Sequence, residues 1–242
     1  MKFLKYVFLL LLLTLNTSVN CQEVDYGTLA PADFMRMARY RMALQDSFAD
    51  LRGRITHLRR NRGGAVFYPV RFVVRFGAQV DARINVDNRE VHTLVKNHRT
   101  GLKKVTSSVP LEKSILHDVG FKLEDLTLDF LDYPVAMECA SETVKTVACR
   151  VMLLEGKNGE KIKVWLSKEY LFPLKAEFFG AKTDLAGKPD RSLEITGFEK
   201  VNDYYVATEI ALFSANFRTR IAFGDCKVCK ADSPQAAAEF GK

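Results

Sequence analysis

Four histidines, three close aspartates and five cysteines are the residues of this chain best suited to chemistry. His57, His92, His98 and His117 are scattered, with no His-Glu-x-x-His pair and no carboxylate at ligand spacing. A catalytic or structural metal needs three or four converging ligands, so no metal centre is expected. Asp125, Asp129 and Asp132 crowd the segment EDLTLDFLDYP. Paired carboxylates can move protons, but this spacing on a short helix describes a solvated face or a helix cap. The chain has no Gly-x-Ser-x-Gly elbow to present a serine and no glycine-rich loop to cradle phosphate. No catalytic residue, enzyme activity or cofactor is expected.

The cysteines read as structural. Setting Cys21 aside leaves an even number, which suits an oxidising compartment. Cys139 and Cys149 are placed symmetrically about Val144 and can face each other across a hairpin, a candidate disulfide. Cys226-Lys227-Val228-Cys229 is a lone Cys-x-x-Cys at the end of the last strand, without further zinc ligands or a strand–helix redox setting. A local or structural disulfide is its expected role.

Residues 1–21 read as a secretory leader: Lys2 and Lys5, then an apolar run Tyr6–Leu15, then the small polar stretch Asn16–Asn20. The run is too short to span a bilayer, which takes roughly 20 apolar residues. The mature protein is therefore expected to be exported. Thr17-Ser18-Val19-Asn20 before Cys21 lacks the usual residues of a lipoprotein signal. Ordinary cleavage near Asn20 or just after Cys21 is expected, with lipidation of Cys21 the alternative. Removing the leader lowers the formal charge from +7 to +5, because Lys2 and Lys5 are its charged residues. That modest excess suits an anionic membrane surface or head group and does not indicate nucleic acid.

The elements that must position these residues are mostly strands. Between Lys161 and Gly180, Ile162, Val164 and Leu166 share one face of the chain. Tyr170, Phe172, Leu174, Ala176 and Phe178 share one face of the next segment, so the two form a hairpin with one apolar side. The same alternation marks Ala65–Phe76, Gln79–Val86, Glu90–Asn97, Val135–Cys139 with Val147–Glu155, Ser192–Glu199, Tyr204–Phe213 and Phe217–Gly224. Leu51–Arg62 also has period two and carries a basic strip, Arg52, Arg54, His57, Arg59, Arg60 and Arg62. That strip reads as a solvated edge face or as a surface for head groups or a partner. Pro31–Asp50 predicts the one long helix, with Phe34, Met37, Ala38, Met42 and Phe48 near one side. Thr100–Pro110 reads as a basic loop, Leu111–His117 and Leu123–Leu131 as short helical segments, and 231–242 as a fraying tail. The fold class is α+β, mainly antiparallel β: residues 22–230 form one domain, a large sheet that curls.

From Val119 to Lys227 the residues resemble the LolA-like outer-membrane lipoprotein-sorting superfamily, closest to its uncharacterised exported branch. The likeness rests on Gly120–Leu126, Val164-Trp165-Leu166, Pro173–Phe179 and Phe217–Asp225, in that order. The resemblance implies an unclosed β-barrel covered by the N-terminal helix and short inserted helices. It also implies a periplasmic carrier or chaperone for a lipid or an acylated protein. The chain departs from the housekeeping carrier in its extra cysteines and in the basic stretch Thr100–Pro110. Arg39 and Arg41 are candidates for that carrier's arginine latch by their place on the lid helix. The apolar pocket would be lined by Val70, Phe72 and Val74, by Ile162 and Val164, and by Phe172, Leu174 and Phe178. Val206, Ile210, Ile221 and Phe223 would complete it. The alternative on the same fold is a periplasmic interaction module of the anti-sigma-factor regulator type, with the basic strip meeting another envelope protein.

Overall fold

Period-two writing yields twelve strands in one sheet, each antiparallel to its neighbours. The computed structural model describes residues 25–43, 46–60, 63–98 and 100–241. The leader with Cys21, Arg62 and the Met42 side chain lie outside the described residues. Strands β1 (Ser47–Arg59), β2 (Ala65–Phe76), β3 (Gln79–Val86), β4 (Glu90–Asn97) and β5 (Lys103–Ser107) form a meander running outward from the middle of the sheet. Strands β6 (Val135–Val144), β7 (Val147–Glu155), β8 (Lys161–Ser167) and β9 (Pro173–Phe179) begin at the other edge. They lead through β10 (Arg191–Val201) and β11 (Tyr204–Ser214) to β12 (Phe217–Lys230), which pairs with β1. The edges β5 and β6 do not meet, so the sheet is an unclosed barrel.

The connection from β5 to β6 must travel from one edge to the other, and it packs into the concavity on the way. It carries α2 (Ile115–Asp118), α3 (Leu123–Leu126) and a 3-10 turn at Asp129–Asp132. Leu116, Val119, Phe121, Leu123, Leu126, Leu128, Phe130 and Leu131 are buried in the same core as the inner faces of both meanders. Helix α1 (Pro31–Ala43) adds Phe34, Met35 and Ala38, all fully buried, with Met37 half-buried beside them.

Polar clips hold this plug. The Glu90 carboxylate accepts the Ile115 and Leu116 amides at 2.9 and 3.0 Å, and Ser114 Oγ caps the His117 amide. The Thr219 hydroxyl donates to the Val119 carbonyl at 2.6 Å. With its proton thus used, Thr219 Oγ1 must accept from His57 Nδ1 at 2.8 Å, which leaves His57 Nε2 to accept from Arg59. Burial, then the Arg59 charge, lowers the His57 pKa, against a smaller opposing effect of Asp118.

Three expectations change. The N-terminal helix ends at Ala43, and Ser47–Asp50 belong to β1, where both neighbouring strands satisfy their backbone groups. Tertiary pairing overrides the helix propensity of that stretch. The basic segment Thr100–Pro110 contains β5, a short lysine-bearing strand of the kind that protects a sheet edge. The C-terminal tail forms α4 (Pro234–Phe240): Ser233 caps it and Pro234 starts it. Phe240 meets Phe48 edge-on at 6.3 Å on the convex face, and Glu239 pairs with Arg71 and Arg83.

Opposite Arg52 and Gly53, β12 carries an extra residue, Gly224, a bulge that bends β12 against a regular β1. A Cβ on Gly53 would stand 2.0 Å from the Ala222 carbonyl oxygen and 2.7 Å from Phe223 Cα, both backbone atoms. Gly53→Ala is expected to cost about 1–3 kcal/mol or more. Urea unfolding would show this as a lower midpoint with an unchanged slope.

Candidate ligand cavity

Strands β9 and β10 part company along their length, and the apolar cavity follows from that. Their pairing runs from Arg191–Phe178 to Glu194–Lys175 and stops. Beyond it β10 is irregular on both sides of Gly197, where it follows β11 alone, while β9 gives way to the turn at Tyr170. Glycine inside a strand commonly marks such a bulge. A cavity of about 440 Å³ fills the resulting wedge, with Tyr170, Phe172 and Leu174 on one wall and Ile195, Thr196 and Phe198 on the other. Phe172 and Phe198 touch edge-on across it at 5.3 Å. A second cavity of about 80 Å³ lies against Phe72, Val74, Val206, Ile210 and Phe223 of the concave face. Phe172, Ile195, Tyr204 and Tyr205 line both, so the two apolar chambers adjoin across these side chains.

The twelve expected pocket residues divide accordingly. Phe72, Val74, Phe172, Val206, Ile210 and Phe223 border the smaller chamber. Val70, Ile162, Val164, Phe178 and Ile221 are at most 4% exposed and belong to the core packed against the plug. Leu174 changes side. The bulge at Trp165/Leu166 turns it toward Cys149, Val151 and Trp165, from where it reaches the larger chamber. Ile195, Phe198, Tyr204 and Tyr205 are additional lining residues. Gly197 and the Asn202-Asp203 turn are their sequence signal.

The remaining candidates are spread through the fold. Among the described residues no group of three or more His, Cys, Asp or Glu side chains is placed to hold a metal ion. Asp125 is a cap, as its sequence position suggests, yet it is buried: its carboxylate accepts the Lys122 amide at 2.8 Å and both Arg191 donors at 2.6 and 2.9 Å. Cys139 and Cys149 sit in one convex cluster with thiols unjoined, since Cys139 pairs with Val151 and the register slips before Cys149 meets Glu142. Cys226 packs toward the main core and Cys229 toward the convex cluster beneath α4, so this Cys-x-x-Cys is not joined either. The basic strip is also divided. Arg52 pairs with Asp50, Arg54 lies over Phe67, Arg59 bonds His57 and Arg60 bonds the Ala215 carbonyl.

Helix α1 closes over the plug through Arg39. Its Nε donates to the Leu131 carbonyl and its Nη2 to the Tyr133 carbonyl, the latter at 2.7 Å. Burial lowers the Arg39 pKa. Arg150 anchors the start of the same helix. It donates to the Leu29 carbonyl at 2.6 Å, pairs with Glu138 and lies 4.5 Å over the Phe34 ring.

Near Arg39, Lys96 and Lys103 each reach Asp129 at 2.6 Å, and Lys96 also bonds Asp132. Burial pushes the Asp129 pKa up, but the Lys103 and Lys96 hydrogen bonds prevail and hold it below the ordinary value. A depressed carboxyl stabilises the fold above its unfolded pKa, and that contribution is lost as pH falls through the folded value. Stability measured by urea unfolding should therefore drop as the solution is acidified below the ordinary aspartate range, and Asp129→Asn should flatten that part of the profile.

No family model matches the sequence, and no curated protein matches it. Solved structures do match over most of the chain. A DUF1329 family protein from Desulfovibrio piger is 14% identical with TM-score 0.61, over 86% of this chain and 94% of that one. A protein described as an outer membrane lipoprotein-sorting domain, from Vibrio parahaemolyticus, is 16% identical with TM-score 0.58, over 85% and 95%. A LolA superfamily protein from Nitrosomonas europaea is 15% identical with TM-score 0.54, over 86% and 97%. At these identities the likeness establishes the fold. The chain has the LolA-like architecture of an unclosed antiparallel half-barrel with a helical filling.

Proposed function

We propose that this protein is a periplasmic carrier or chaperone that holds the acyl chain of a lipid or of an acylated protein. One observation carries the reading: an apolar cavity fills the wedge between β9 and β10 and adjoins a second apolar cavity against the concave core. The larger chamber alone, about 440 Å³, is within the size range of ligand sites, about 300–1,000 Å³. Each buried methylene contributes about 0.8 kcal/mol, so an apolar cavity retains a chain without a set of specific polar contacts. The leader-like residues 1–21 support export, and the LolA-like fold supports a carrier.

Phe172 lines both chambers and is half-buried, so a polar replacement is compatible with folding. Phe172→Glu places a carboxylate on the acyl path, where it cannot be desolvated without a partner. Titration with a fluorescent long-chain fatty acid should show affinity reduced by about tenfold or more. Unchanged affinity would locate the chain elsewhere.

A protein partner on the same fold is favoured by a separate observation. On exposed convex positions Arg54 lies 5.0 Å over Phe67 and Arg218 lies 5.1 Å over Phe213. Arg54→Glu with Arg218→Glu should abolish capture of an envelope partner while leaving fatty-acid uptake unchanged. Retained capture would dismiss the convex surface as the partner site.

A further inference from the structure

The mouth of the larger chamber is apolar in its walls and cationic at its rim. Two basic side chains from elements far apart in sequence reach it. Arg41 comes from the last turn of α1, and Lys145 from the β6–β7 hairpin tip, where its backbone takes a left-handed conformation with φ of 52°. Among the described residues Arg41 has no carboxylate partner, in contrast to Arg36 with Asp33 on the same helix. Lys145 Nζ donates to the Thr196 carbonyl at 3.4 Å, and its charge also acts on Glu209, which is itself held by Arg220 and Thr196; other ammonium protons remain to donate. Asp203 also borders the chamber, so its lining has two cations against one anion. An ammonium and a guanidinium facing one opening above apolar walls match an amphiphile with a negative head.

We propose that the ligand is an anionic amphiphile, its head group held at the rim by Arg41 and Lys145 while its chain occupies the apolar cavity. This rests on the carrier reading and adds the head-group chemistry to it. Carboxylate and phosphate heads share the chemistry that would be recognised, a compact anion able to accept several N–H donors. Arg41 lies on the same helix as Arg39, which ties α1 to the plug. A head group bound by Arg41 would therefore draw on the lid itself.

The test uses three fluorescent long-chain probes of matched length: a fatty acid, a lysophosphatidic acid and a neutral fatty alcohol. Each is titrated into the wild-type protein, Arg41→Gln/Lys145→Gln and Asp203→Asn. The expected result is tighter wild-type binding of the anions than of the alcohol. The double variant should lose about tenfold in affinity for the anions and nothing for the alcohol. Asp203→Asn should bind the anions more tightly. The anion that weakens more in the double variant identifies the source as a carboxylate or a phosphate, and unchanged alcohol uptake shows that the double variant is folded. If the wild type binds alcohol and anions equally and the double variant changes neither, the head-group proposal is overturned while the carrier reading stands. If the wild type binds none of the probes, the carrier reading fails and this proposal falls with it.

Discussion

Replacing Arg191 by methionine should destabilise the protein by about 3–5 kcal/mol, because the change strands the Asp125 carboxylate in the core. The Asp125 side chain is 3% exposed, and Arg191 grips it through both terminal nitrogens. The same guanidinium lies 3.9 Å over Phe178, which in turn meets Phe130 edge-on at 5.5 Å. One residue of β10 thus secures both the start of α3 and the turn that follows it. Methionine keeps much of the packing volume and removes the charge, so the expected loss is specific to the uncompensated carboxylate. Asp125→Asn in the same background should restore part of it, since an amide is less costly to bury than an unpaired carboxylate. Urea unfolding of the single and double variants measures both effects. Equal stability of Arg191→Met and wild type would show that Asp125 finds another partner.

Arg39→Leu should raise ligand affinity by about tenfold or more. The two hydrogen bonds from Arg39 to the Leu131 and Tyr133 carbonyls hold α1 against the plug. A hydrogen bond involving a charged group contributes about 1.5–3 kcal/mol, and about 1.4 kcal/mol corresponds to tenfold. The acceptors are neutral and the guanidinium is half-buried, so desolvation offsets part of the gain and leaves a tie that a ligand can break. If the closed lid excludes the chain, the free protein binds with an affinity reduced by its open fraction, and loss of the latch removes that reduction. Amide exchange across α1 should accelerate in the variant, and the fatty-acid titration should tighten. Faster exchange with unchanged affinity would show that α1 covers core and not cargo.

The legible part of this protein was its strand pattern. Alternation placed β2, β3 and β4 with the boundaries seen, because a sheet with one buried face writes its register into every second residue. Two kinds of feature were less legible. Ser47–Asp50 carries no local sign strong enough to end a helix, and its strand state depends on partners in β2 and β12 far along the chain. The cavity depends on where pairing ceases. Alternation describes Phe178 and Phe172 alike, yet Phe178 is sealed in the core by Phe130 and Arg191 while Phe172 borders open space across from Phe198. Whether a concave apolar face becomes core or cavity is decided by what the segment between β5 and β6 fills. Gly197 and the Asn202-Asp203 turn are the marks the sequence carries of the wedge.

Native mass spectrometry of the protein taken directly from a Gram-negative envelope tests the carrier reading most directly. A bound lipid should appear as a discrete mass increment, disappear on organic extraction, and be replaced when the extracted protein is given a fluorescent fatty acid. Protein that is ligand-free in repeated preparations and takes up no fatty acid would contradict it.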